Sequence, residues 1–145
     1  MVEKSASAKW QGTLTEGSGT FSVESGVISD PPMTWAVRTG AADGKTSPEE
    51  LIAAAHASCY AMAFTHALVT AGTPHESLEV TSKVGFGPNP GGGMKVTHSH
   101  LTARGKVPGM TQEQFQAAAT EAEKGCPVSN ALRNNLEITV EATLA

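Results

Sequence analysis

The stretch Thr46-Ser-Pro-Glu-Glu-Leu-Ile-Ala-Ala-Ala-His-Ala-Ser-Cys59-Tyr-Ala-Met-Ala-Phe-Thr-His-Ala-Leu-Val-Thr-Ala71 decides how the rest of the chain is read. It opens with the signals of a helix start. Ser47 stands at the N-cap, Pro48 at the first helical position, and Glu50, three residues on, completes a capping box. Glu49 and Glu50 lie at the positive end of the helix dipole. The run stays apolar to Ala71 and then meets Gly72-Thr-Pro74, which stops it. Being apolar almost all round, this helix is expected to be central and covered on most sides. Its length also matches a membrane span, but His56, Ser58, Thr65 and His66 interrupt it and it is rich in Ala rather than Leu. A buried core helix is the better reading. Ala53, Ala54, Ala55, Ala57, Ala61 and Ala63 keep the helix thin, so another helix can approach closely.

Outward from this helix, the chain alternates strand and helix signals. Three strands precede it: 5–14, 20–25, where Phe21 and Val23 alternate with polar neighbours, and 33–38, entered through Asp30-Pro-Pro32. Gly17 and Gly19 suit the turn between the first two. Two more strands follow, 78–86 and 94–107, joined by the loose loop Gly87-Pro-Asn-Pro-Gly-Gly-Gly93. Thr111-Gln-Glu-Gln114 is a second capping-box start, for a helix ending near Gly125, and Cys126-Pro127 begins a short helix to about Leu132. Leu136, Ile138, Val140 and Ala142 alternate along a closing strand. The expected order is β-β-β-α-β-β-α-α-β, an α+β fold of antiparallel sheets with a long central helix.

Composition narrows the class. With 145 residues, 39% of them apolar, the chain reads as one soluble domain spanning 1–145. Ten Lys and Arg against fourteen Asp and Glu argue against a nucleic-acid partner. The N-terminal residues contain no apolar leader, so a cytoplasmic location and no membrane association are expected. In a reducing compartment two distant cysteines, Cys59 and Cys126, are a redox couple or a metal site more often than a structural staple.

The chemistry of each sulfur follows from its position. A thiol reacts as its thiolate. Cys59 lies in mid-helix, where the helix dipole helps little and burial disfavours the charge. A reactive Cys59 therefore needs a cation, and Arg38, at the end of the third strand, is the best placed; a guanidinium stays charged when half buried. A half-buried arginine in turn wants a carboxylate, and Glu49 or Glu50 can supply it. Glu49 and Cys59 are about 15 Å apart along the helix and differ by about 80° in azimuth, so Glu49 cannot touch that sulfur. An Arg38–Glu49 pair reaches a cysteine on a neighbouring chain more easily, which makes a homodimer the natural unit. Cys126 stands at an N-cap, where backbone N–H groups favour a thiolate suited to thiol–disulfide exchange.

The two segments Ser47-Pro-Glu-Glu-Leu-Ile-Ala-Ala-Ala-His-Ala-Ser-Cys59-Tyr-Ala-Met-Ala and Cys126-Pro-Val-Ser-Asn-Ala-Leu132 together resemble the OsmC/Ohr family (osmotically inducible protein C and organic hydroperoxide resistance protein) over essentially the whole chain. His56 and Arg38 resemble the OsmC branch. The resemblance implies a thiol peroxidase of the oxidative-stress response, acting on organic hydroperoxides and hydrogen peroxide. It implies that Cys59 is peroxidatic and Cys126 resolving, that Arg38 and Glu49 activate, and that a dithiol of the lipoyl type is the reductant. It also implies an intertwined homodimer with its site at the interface, and no cofactor or metal.

Plainer readings stand beside these. First-turn glutamates such as Glu49 stabilise helices by the dipole alone. His56, one turn before Cys59, suits a satisfied core histidine. His98 and His100 share a strand face and read as solvent-facing. The rival from another class is a zinc-binding or redox-regulatory protein using His56, Cys59 and Cys126.

Overall fold

The computed structural model describes residues 1–145. The order is β1 (Ala6–Gln11), β2 (Ser18–Val23), β3 (Ser29–Met33), α1 (Trp35–Thr39), α2 (Pro48–Thr70), β4 (Ser77–Pro88), β5 (Met94–Lys106), α3 (Gln112–Lys124), α4 (Pro127–Leu132) and β6 (Glu137–Leu144). The fold is α+β, with two compact units, residues 1–51 and 52–145.

The first unit is an antiparallel meander in the order β1-β2-β3. Gly19 lets β1 and β2 close, because a Cβ there would lie 2.3 Å from the Lys9 carbonyl oxygen. The third strand falls earlier than the pattern suggests. It occupies Ser29–Met33, and the next residues form the short helix α1 instead of a strand over 33–38. The cause is the length of β2: its pairing with β3 ends at Gly19 opposite Met33, so the residues beyond have no ladder to join. Pro31 and Pro32 are tolerated because β3 is an edge strand, where a missing N–H is not needed. Helix α1 buries Val37 and carries Arg38 in its last turn.

The second unit holds a sheet in the order β4-β5-β6. Strands β4 and β5 form the expected hairpin, but β6 runs parallel to β5, so this sheet is mixed rather than antiparallel. The reason is topological. Helices α3 and α4 return the chain to the start of β5, and such a crossover delivers a parallel strand. Helix α3 begins with the capping box Thr111–Gln114 and packs Phe115, Ala119 and Ala122 inward. Its glutamines reach the free edge of β6. Gln116 accepts from the Ala142 N–H and donates to the Val140 carbonyl, while Gln112 accepts from the Leu144 N–H and donates to the Ala142 carbonyl.

Helix α2 obeys its local signals at both ends. The Ser47 hydroxyl accepts from the Glu50 N–H at 3.2 Å. At the other end Gly72 has φ 75°, and Thr73 and Gly72 donate to the Leu68 and Val69 carbonyls in a Schellman closure. Its packing differs from expectation. Only the row His56, Tyr60, Phe64 and Leu68, spaced every four residues, is fully buried. This row meets Leu101, Ala103, Phe115 and Ala119 to form the core. Each large side chain there contributes about 1.5–3 kcal/mol of burial. Ala54, Ala55, Ser58, Met62, His66 and Val69 are exposed, with Met62 at 67%. By length and composition α2 is also apolar enough to cross a membrane, and 22% of its most apolar window is buried within this chain.

Candidate active site

Cysteine 126 is the N-cap of α4, with extended backbone (φ −77°, ψ 119°). Pro127 follows as the first helical residue, and having no N–H it leaves Val128 and Ser129 to supply the free amides of this turn. The Ser129 N–H donates to the Cys126 sulfur at 3.5 Å. Helix α2 brings Cys59 beside this turn, where it packs against the core cluster that contains Cys126. The two cysteines are thus neighbours beside one helical turn. Both are free thiols; Cys126 is fully buried and Cys59 half-buried.

Burial pushes the Cys59 thiol above its ordinary range; the Val128 amide opposes this, and the neighbouring Cys126 adds to it. Within this second unit, then, the environment of Cys59 favours the neutral thiol.

In the first unit, Arg38 donates from Nε to Glu49 Oε1 at 2.8 Å. The Glu49 side chain is 8% exposed and that of Arg38 33%. The guanidinium also lies 5.8 Å from the Trp35 ring centroid, in a cation–π contact. Glu49 Oε2 is buried without a hydrogen-bond partner. Beside the pair is a cavity of about 260 Å³ lined by Trp10, Leu14, Met33, Trp35 and Arg38. The four site residues expected from sequence therefore form two pairs, Arg38 with Glu49 and Cys59 with Cys126, one in each compact unit. Glu50, the other glutamate considered, is exposed, and its backbone N–H donates to the Ser47 hydroxyl.

What sequence reasoning missed is the setting of His56. The ring is fully buried. Its Nδ1 is hydrogen-bonded to Ser99 Oγ at 2.7 Å and its Nε2 to Ser129 Oγ at 2.8 Å. Ser99 in turn meets Ser82 Oγ at 3.0 Å. Burial lowers the His56 pKa, with Glu123 partly offsetting. Ser99 and Ser129 lie 43 and 73 positions from His56, so no local pattern announces them. With both ring nitrogens engaged by serines, the zinc alternative loses its nitrogen ligand. His98 and His100 are half-buried and stack at 4.2 Å, each ring bonded to a threonine.

The OsmC-like protein family matches residues 40–141. Peroxiredoxin OsmC of Escherichia coli (strain K12) is 36% identical over 143 residues, covering 99% of this chain and 97% of that one. An organic hydroperoxide resistance protein of Xanthomonas axonopodis pv. citri is 34% identical over 131 residues, covering 88% of this chain and 89% of its own. Among solved structures, an organic hydroperoxide resistance protein from Elizabethkingia anophelis aligns over 99% of both chains with a TM-score of 0.78 at 28% identity. The chain belongs to the OsmC-like family.

Proposed function

We propose that this chain is a cysteine-based peroxidase that reduces organic hydroperoxides, and hydrogen peroxide, with Cys59 as the peroxidatic and Cys126 as the resolving residue. The observation that carries this reading is the juxtaposition of the two thiols, Cys59 on α2 beside Cys126 at the N-cap of α4. The names of the relatives, peroxiredoxin and organic hydroperoxide resistance protein, point the same way. The similarity to peroxiredoxin OsmC runs over 99% of this chain, which supports a single functional domain.

The cycle has three steps. The Cys59 thiolate attacks the O–O bond of ROOH and becomes a sulfenic acid, and the released alkoxide takes a proton to give ROH. Cys126 then attacks the sulfenic sulfur; an S–S bond forms and water leaves. A dithiol reduces the disulfide by exchange and departs as its own disulfide. Cys59 is the more accessible sulfur, so the incoming thiolate attacks there and Cys126 is the leaving group, received by the Ser129 amide.

The first step needs a thiolate, yet burial raises the Cys59 pKa. Arg38, oriented by Glu49, supplies the missing charge to the partner subunit's Cys59 in an intertwined homodimer. The exposed small and apolar residues of α2 (Ala54, Ala55, Ser58, Met62 and Val69) are the surface that the second copy covers. The apolar cavity beside Arg38 suits the tail of an organic hydroperoxide. Two cysteines kept as neighbouring thiols fit a reducing cytoplasm.

Thiol titration with one equivalent of cumene hydroperoxide tests the reading. Both thiols should disappear and return with a dithiol such as dihydrolipoamide. Cys59→Ser should abolish turnover, and Cys126→Ser should react once and then overoxidise. Undiminished turnover in Cys126→Ser would refute the resolving role.

A further inference from the structure

We infer that His56 is a positioning residue for the resolving step: it holds α4 so that Cys126 faces Cys59, and it governs disulfide formation rather than attack on peroxide. This rests on the Cys59–Cys126 couple proposed above. Helix α2 meets the first turn of α4 at two points. At one, the Val128 amide acts on Cys59 and opposes the rise in its pKa; at the other, His56 Nε2 is hydrogen-bonded to Ser129 Oγ at 2.8 Å. The first contact involves a reacting atom and is altered once Cys59 carries oxygen. The second contains no redox-active atom and persists through the cycle.

Helix α4 needs such a tether. It has six residues, too few to be stable alone. The imidazole is itself immobilised, because Ser99 on β5 holds Nδ1 at 2.7 Å and Ser82 on β4 backs Ser99. A neutral imidazole offers one donor and one acceptor, so a single ring engages a serine at each end. The link runs from the sheet through His56 to Ser129, whose own N–H rests on the Cys126 sulfur. In the step concerned, the Cys126 sulfur bonds to the Cys59 sulfur, the S–O bond breaks, and the hydroxyl leaves as water with the Cys126 proton. Such a displacement is sensitive to errors of about an ångström in approach, worth about a hundredfold in rate.

Two substitutions of similar size separate the two ring contacts. Asn at position 56 keeps a polar atom near Nδ1 only; Gln places one near Nε2. Single-turnover oxidation with cumene hydroperoxide, rapid quenching, dimedone trapping and mass spectrometry resolve sulfenic acid formation from disulfide formation. In His56→Asn, disulfide formation should slow by about ten- to a hundredfold while sulfenic acid formation stays within about twofold. His56→Gln should restore most of the lost rate. Ser129→Ala, which leaves the ring in place, should reproduce the Asn result and decides the matter if a His56 variant fails to fold. Unchanged disulfide formation in His56→Asn and Ser129→Ala overturns the inference, as does equal slowing of both steps in Asn and Gln variants alike. If the wild-type protein forms no Cys59–Cys126 disulfide, the underlying couple is wrong and this inference falls with it.

Discussion

Arg38 gives its Nε hydrogen to Glu49 across 2.8 Å, and the receiving carboxylate is almost wholly withdrawn from water. A carboxylate is rarely buried without such a cation. The pair therefore holds one guanidinium in a defined orientation on a short helix whose other inward residue is Val37. That makes Arg38 suitable as a fixed charge rather than a solvated strand end.

Replacing this charge should be visible at sulfur. Arg38→Ala should raise the Cys59 pKa, because removing a neighbouring cation favours the neutral thiol. At neutral pH the thiolate fraction and the peroxide rate should fall together. The pH dependence of iodoacetamide alkylation at Cys59 reads this directly; an unmoved profile would separate Arg38 from the reaction. Glu49→Ala should cost about 1–3 kcal/mol of stability, since it removes the charge-assisted hydrogen bond to Arg38, and thermal unfolding measures that loss.

Reduction should be regioselective. When the oxidised protein is mixed with a dithiol, the transient mixed disulfide should form at Cys59, the half-buried sulfur, and not at the fully buried Cys126. Acid quenching followed by peptide mapping identifies the modified cysteine. Adducts on Cys126 would reverse the roles of attacked sulfur and leaving group.

The open face of α2 yields a prediction on assembly. Met62 is 67% exposed on an apolar stripe that a second copy is proposed to cover. Met62→Glu should convert dimer to monomer in sedimentation equilibrium, because a buried unpaired charge is strongly penalised. Peroxidase rates should drop with it, since each Cys59 would lose the arginine of the other chain. A Met62→Glu protein that stays dimeric places the interface elsewhere.

Acid should weaken the fold through His56. Burial lowers its pKa below 6.5, and Glu123 on α3, itself paired with Arg133 at 2.9 Å, offsets this only in part. Between the folded value and 6.5 the unfolded chain binds more protons than the folded one. The contribution of His56 is therefore complete above about pH 6.5 and is lost as pH falls through the folded value. Melting temperatures between pH 7.5 and 5 should decline in the wild type and decline less in His56→Gln. Parallel curves would assign the acid sensitivity to other groups.

Comparison of pattern with structure shows which physics is local. Ser47, Thr111 and Pro127 announce their helices because a cap is decided by residues within one turn. The ends of α2 and the β4–β5 hairpin are legible for the same reason. The third strand was not, since its end is set by where β2 stops offering partners. Nor was the direction of β6, which depends on the return path of two helices. The cysteine pair is recognisable from its two motifs, whereas the packing of Cys59 against the cluster that holds Cys126 appears only once α2 and α4 meet. That His56 is a satisfied core histidine is legible in sequence; its serine partners come from β5 and α4, and only the folded chain unites them.

The glutamines of α3 imitate a fourth strand. Gln112 and Gln116 fill the ladder positions along the outer margin of β6, so a foreign strand finds no vacant donors or acceptors at those places. The same helix leads through Gly125 directly into Cys126. Undocking it would at once bare a sticky seam and cast the second sulfur adrift, so resistance to clumping and readiness to react are lost or kept in a single event.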